Sequence, residues 1–156
     1  MKTELIEGLS NSPLMLKELI QQVSAEELKR RRRTNKWSIH ENACHLAQAE
    51  IMIYERFQKF KKEAEPDFNP YLPGKTISDD DLINLELSEQ LNLFENQRSK
   101  TVELLRSYDD SIWNRKGKHP QYKHYDPKIL LRHTLMHDHL HMYRIEELWL
   151  TKDEFL

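Results

Sequence analysis

Apolar residues recur every three or four positions along four long stretches of this chain, the spacing of helices that bury one face and wet the other. Between Met1 and Val23 the series is Leu5, Ile6, Leu9, Leu16, Leu19, Ile20 and Val23, broken at Ser10-Asn11-Ser12-Pro13, where proline would open a new first turn. One bent helix or two short ones are predicted there. A polar stretch from Ser24 to Asn35 leads to Ser38 and Glu41, spaced as a capping box in which each side chain bonds the other's backbone N–H. The second long helix is therefore predicted to start at Ser38 and to run through Leu46, Ile53 and Phe57 to about Lys62.

The segment from Pro66 to Gly74 contains three prolines and makes further helix untenable. It is expected to be an ordered crossover, judging by Phe68 and Tyr71, or else a mobile lid. Ser88 stands as the next candidate N-cap, ahead of Leu91, Phe94, Val102 and Leu105 on one face, with Glu89 in the first turn. This third helix is predicted to span Ser88 to Ser107. An irregular stretch from Asp109 to Tyr125 closes on Asp126-Pro127, an N-cap followed by proline at the first helical position, and the last helix is predicted from Pro127 to about Leu150.

The links between the first and second helices and between the third and fourth are shorter than the crossover between the second and third. A four-helix bundle with one long connection is the simplest assembly. Composition agrees: Gly numbers 3 and Pro 6, too few for the tight turns of a β fold, while 32% charged and 38% hydrophobic residues suit one-sided helices. The fold class read from the sequence is all-α, in one domain over residues 1–156, long enough to build a core without metal or disulfide help.

No apolar run approaches the ~20 residues that span a bilayer, and Met1-Lys2-Thr3-Glu4 lacks the start of a secretory signal, so a cytoplasmic protein with no membrane partner is expected. The single cysteine, Cys44, has no internal disulfide partner and reads as a small buried hydrophobe. A net charge of −2 gives no overall pull toward nucleic acid, and none is expected as a partner. The run Lys29-Arg30-Arg31-Arg32-Arg33 is read as a solvated inter-helix segment or a charge cluster at a dimer rim, ahead of a nucleic-acid patch.

Four of the eight histidines fall between Leu131 and Tyr143. His137 and His141 sit at i and i+4, about 40° apart around the helix, with His133 extending the stripe and His139 on the opposite side. Leu130, Leu140 and Leu148 share that stripe, which is expected to face the bundle interior. Two imidazoles so spaced can share one metal ion, although a buried pair alone is more often satisfied by hydrogen bonds in a core. His45, two turns into the second helix, offers a third ligand from a facing element. Burying three imidazoles together without a cation would be costly, since each polar ring needs partners and charged ones repel.

The segment Trp37-Ser38-Ile39-His40-Glu41-Asn42-Ala43-Cys44-His45-Leu46-Ala47-Gln48-Ala49-Glu50 resembles the DinB/YfiT-like superfamily, in which a Trp-Ser helix start is followed by a His-Leu pair and an acidic residue. The run from His133 to Ile145 looks like that family's final segment, whose histidines four apart complete a metal site begun on the second helix. The resemblance implies an up-down-down-up four-helix bundle, frequently a homodimer, with His45, His137 and His141 as metal ligands. Many members have Arg-Gly-Gln or similar after the final histidine, whereas Met142-Tyr143-Arg144 follow here, so contacts at that point are expected to differ. His133 is expected to support the ligands or to compete with His137 for the ion.

Three neutral imidazoles suit zinc or nickel best, with iron a third candidate, and leave a position open for water or a small-molecule substrate. Water there would serve hydrolysis; a low-molecular-weight thiol held as thiolate would serve S-transfer. The resemblance slightly favours the transferase, with a metal-dependent hydrolase as the alternative and a non-catalytic, stress-related bundle with a structural metal as the third reading. No Ser-His-Asp pattern, phosphate-binding loop or Cys-x-x-Cys supports another catalytic class. Glu41 is assigned first to the capping box and second to orienting His45. Glu50 and Arg144 read first as solvent-facing or salt-bridging and second as substrate-contacting. Trp113, His119, Tyr122, His124 and Tyr125 are expected either to line a pocket mouth or to cover the bundle end.

Overall fold

The computed structural model describes residues 2–33, 36–70 and 81–156. Its helices are α1 (Lys2–Gln21), α2 (Ala25–Leu28), α3 (Ile39–Lys62), α4 (Leu87–Arg106), α5 (Asp110–Trp113) and α6 (Pro127–Leu150). Single 3-10 turns lie at Leu82–Asn84 and Asp153–Phe155. Among the described residues there is no strand, only an isolated bridge between Asp67 and Lys118. No described helix is long and apolar enough to cross a membrane.

The helix starts obey local chemistry. Ser38 accepts a hydrogen bond from the Glu41 backbone N–H at 3.2 Å while Glu41 Oε2 accepts from the Ser38 backbone N–H at 2.8 Å, a complete capping box at the head of α3. Arg31 adds two hydrogen bonds to the same carboxylate, at 2.9 and 2.5 Å. Burial alone would raise the Glu41 pKa, but the bonds from Arg31 and Ser38 outweigh it and hold the carboxyl below its ordinary value. Asp126 Oδ1 accepts from the Ile129 N–H at 2.8 Å and caps α6, with Pro127 in its first turn.

The predicted start of the third helix is displaced by two residues. Glu86, not Ser88, is the N-cap of α4, because its longer side chain reaches back to accept from the Ser88 N–H at 3.3 Å. The irregular stretches also contain single helical turns, α2 and α5, capped by Ser24 and Asp109. Of the predicted crossover, Phe68 is buried against Phe60 and Tyr125; the remainder of that expectation falls on residues 71–80, outside the described residues.

Two apolar clusters fix the direction of each long helix. One joins Ile6 and Leu9 of α1 to Ile53, Phe57 and Phe60 of α3, Val102 and Leu105 of α4, and Leu130 and Leu131 of α6. The other joins Leu16 and Ile20 of α1 to Ile39, Ala43 and Leu46 of α3, Phe94 of α4, and Met142 and Ile145 of α6. Thus α1 and α6 run from the first cluster to the second while α3 and α4 run the opposite way, the up-down-down-up order. α3 packs on α4 and α6, and α1 packs on the other faces of the same two helices. Because α3 and α4 are parallel, the chain must return along the bundle between them, which explains the long connection.

Between the clusters lies a charged layer. Arg98 of α4, 1% exposed, donates to Asp138 of α6 at 2.6 and 3.1 Å and to Glu50 of α3 at 2.7 Å, and Thr101 donates to the second oxygen of Glu50 at 2.5 Å. Of the two readings of Glu50, salt-bridging holds and solvent-facing does not: it is fully buried on Arg98, and desolvation with nearby Asp138 raises its pKa against the pull of Arg98. Pro13 enters the same network. It lies inside a continuous α1 and has no N–H to give to the carbonyl four residues back, so Arg98 Nη1 donates to the Leu9 carbonyl instead, at 3.1 Å.

Candidate metal centre

The site lies where α3 faces α6. His45 projects from the second turn of α3, and His137 and His141 project from successive turns of α6. The Nε2 atoms of His45 and His137 stand 3.1 Å apart, and one ligand nitrogen from each of the three rings falls within 4.8 Å of the others. Two nitrogens bound tetrahedrally to one zinc at about 2.0–2.1 Å would stand roughly 3.3 Å apart, so the approach fits a shared cation.

The rings are kept neutral, as ligands must be. Desolvation, aided by His137, lowers His45 to about 4. Desolvation, together with His137, His45 and Arg144, lowers His141 to about 3. His137 is also lowered, again chiefly by burial, with Asp138 opposing the fall.

Asn42, one turn before His45 on α3, determines which nitrogen His141 presents. Its Nδ2 donates to the Ser38 carbonyl at 2.8 Å, which turns Oδ1 toward His141 Nδ1, also at 2.8 Å. Since that oxygen can only accept, His141 carries its proton on Nδ1 and leaves Nε2 free for a cation. The helix cap that starts α3 thereby orients a ligand on α6. Trp37 packs over the outer side, its ring 4.6 Å from that of His45 and 5.9 Å from that of His141. Among the described residues His137 Nδ1 is buried without a hydrogen-bond partner, so it is the least supported ring of the three.

His45, His137 and His141 converge. His133 does not join them; it lines a neighbouring pocket with its ring 5.4 Å from Tyr122. His139 is exposed, as its angle on the helix requires. Leu140, expected to face inward, is 52% exposed, because the inner face of α6 is centred on Leu131, Asp138, Met142 and Ile145, nearly opposite Leu140 around the helix. Glu41 serves the capping box and Arg31 rather than His45. Arg144 forms a surface pair with Glu147 at 2.6 Å. Of the loop aromatics, Tyr122 and Tyr125 line a pocket and His119 packs on both. Trp113 is buried against Tyr108, and His124 is exposed. Cys44 is fully buried and its thiol is pushed up to about 12, chiefly by burial, an inert packing group.

Two pockets flank the imidazoles. One of about 130 Å³ is bounded by His45, His137, His133, Arg56, Tyr122 and Tyr125. The other, about 460 Å³, lies against His141, Asn42 and Trp37. Sequence reasoning found the three histidines but missed Asn42, whose signal was its position one turn before His45.

Comparison with known proteins follows the same pattern. YfiT of Bacillus subtilis (strain 168), named as a "putative metal-dependent hydrolase", is 26% identical over 151 residues, which cover 94% of this chain and 83% of that protein. The solved structure of YfiT, described as a four-helix bundle of unusual topology, matches the fold with a TM-score of 0.83 at 24% identity, over 94% of this chain and 85% of that one. The family model for the DinB superfamily matches residues 9–145, a span that contains all three converging imidazoles and the whole of α3 and α4. By that match, the chain belongs to the DinB superfamily.

Proposed function

We propose that His45, His137 and His141 hold one divalent cation, zinc or nickel ahead of iron, and that the chain is a metal-dependent hydrolase of a small-molecule substrate. The observation that carries this reading is the convergence of three neutral imidazoles, two of them with Nε2 atoms 3.1 Å apart and the third oriented through Asn42. A cation so held supplies Lewis-acid chemistry, polarising the bond to be cut and making water more acidic.

The chain's own groups add what a hydrolysis needs. Tyr125 is 3% exposed, and burial raises its phenol pKa, so the hydroxyl keeps its proton. Arg56 Nη1 donates to that hydroxyl oxygen at 3.2 Å, which leaves the phenol proton free to bond a substrate oxygen as negative charge develops on it. His133 lines the same pocket, and desolvation with Arg132 nearby holds its pKa below the ordinary value. A neutral imidazole in that lining is the group that can take a proton from an attacking water.

Hydrolysis replaces the thiol transfer favoured by resemblance. Neither pocket lining contains a group that singles out a thiol, and the relative YfiT is the one named for hydrolysis. A second copy of the chain is the proposed partner, because Met136, Leu140, Tyr143 and Leu150 form an exposed apolar row along α6. The proposed compartment is the cytoplasm, which suits a lone buried thiol.

The test compares chelator-stripped and cation-reloaded protein on a panel of activated carboxylic and phosphoric esters, with helical content followed in parallel. Stripping should abolish turnover and leave the helices intact, and reloading should restore it. Unfolding on chelation with no turnover in the loaded form would favour the structural-metal reading instead.

A further inference from the structure

We propose that the larger pocket beside His141 selects substrates that carry an anionic group, a carboxylate or phosphate attached to an apolar body. This rests on the hydrolase reading and names the substrate class of the same site.

The basic run from Lys29 to Arg33 divides in the fold. Arg30 and Arg32 bond Asp153, at 3.0 and 2.7 Å, and Arg31 bonds Glu41. Those three arginines hold the segment before α3 against the chain end and the helix cap. Arg33 does not join them. It lines the pocket together with Lys36 and, from α6, Arg144. Among the described residues neither Arg33 nor Lys36 has an ion-pair partner, and the one acidic side chain in the lining, Glu147, is held by Arg144 at 2.6 Å. The α-carboxylate of Leu156 is the other acidic group of the lining and forms no ion pair among the described residues. Arg33, Lys36 and Arg144 against Glu147 and that carboxylate therefore leave the pocket with an excess of one positive charge in a chain whose net charge is −2. Its walls are Trp37, Leu140 and Leu148, and its inner end is His141 with Asn42. A molecule with a flat or aliphatic body lying on Trp37 would place an anionic end between Arg33 and Lys36 while its other end reaches the imidazoles.

The experiment measures binding by calorimetry of 2-naphthoate and its neutral isostere 2-naphthamide to zinc-loaded protein, in wild type, in Arg33→Gln/Lys36→Gln, and in Arg33→Lys. Wild type should bind the naphthoate about tenfold more tightly than the amide, the worth of two partly screened charge contacts. The double variant should lose that preference, and Arg33→Lys should keep most of it. Phenyl phosphate in place of naphthoate shows whether phosphate is read as well as carboxylate. Equal affinity for acid and amide in wild type would overturn the proposal. So would an acid preference that survives in the double variant, since the carboxylate would then sit on the cation rather than in the pocket. Thermal melting of both variants confirms that they fold. These readouts need no turnover, so an absence of anion selectivity is distinguishable from failure of the hydrolase reading.

Discussion

Asp138 of α6 and Arg98 of α4, 40 residues apart in the chain, form a two-pronged ion pair at 2.6 and 3.1 Å in a layer with no access to water. Asp138 follows His137 directly, so the pair anchors the turn of α6 that carries one of the three converging imidazoles. Glu50 and Thr101 complete the layer from α3 and α4. Among the described residues the arginine is the sole cation between these two buried carboxylates, which makes its removal far more costly than the loss of one contact.

Arg98→Met would leave Glu50 and Asp138 facing each other without a counter-charge. The expected loss is about 3–5 kcal/mol of folding stability, read from urea unfolding. A loss below about 1 kcal/mol, the range of exposed pairs, would show that the layer is hydrated.

Asn42→Ala removes the acceptor that keeps the His141 proton on Nδ1. Zinc affinity is expected to fall about 10–100-fold with helical content unchanged, as for other groups that orient a histidine ligand. Competition against a chromophoric chelator measures it, and an unchanged affinity would mean that His141 finds its orientation elsewhere.

Acid should weaken the metal-free fold in a defined window. His45 is lowered to about 4 and His141 to about 3, whereas both take up protons near pH 6.5 when unfolded. Between those limits the unfolded chain binds more protons, so stability is full above pH 6.5 and falls as pH drops toward 4, by an amount on the order of a few kcal/mol. Unfolding free energies of the chelated protein at stepped pH test this; a flat profile across the window would contradict neutral, desolvated rings.

The apolar row on α6 predicts a homodimer. Tyr143→Glu places a charge in the middle of that row and should convert the dimer to monomer in light scattering after size exclusion. A wild-type monomer at every concentration would remove the second copy as partner.

Much of this was legible in the sequence for local reasons. Ser38 with Glu41 and Asp126 with Pro127 mark helix starts through contacts no more than three residues apart, and helical angle alone separates His137 and His141 from His139. The buried ion layer was not legible, because Glu50, Arg98 and Asp138 look like surface charges until three helices are packed. The substitution of Glu86 for Ser88 as a cap turned on side-chain reach, which residue preference does not report. Leu140 lies some 60° around α6 from His137 but nearly opposite the buried face of Leu131, Asp138, Met142 and Ile145. Its exposure follows from which face of α6 meets α1, α3 and α4, a tertiary fact.

The proposed chemistry depends most on whether the three imidazoles share an ion. Elemental analysis of the purified protein, with and without single His45→Ala, His137→Ala and His141→Ala substitutions, tests it directly. One equivalent of zinc, nickel or iron per wild-type chain, lost or strongly reduced in each variant while the helices remain, is the predicted result. Wild-type protein that takes up no divalent metal even when zinc is supplied, or variants that retain a full equivalent, would contradict it.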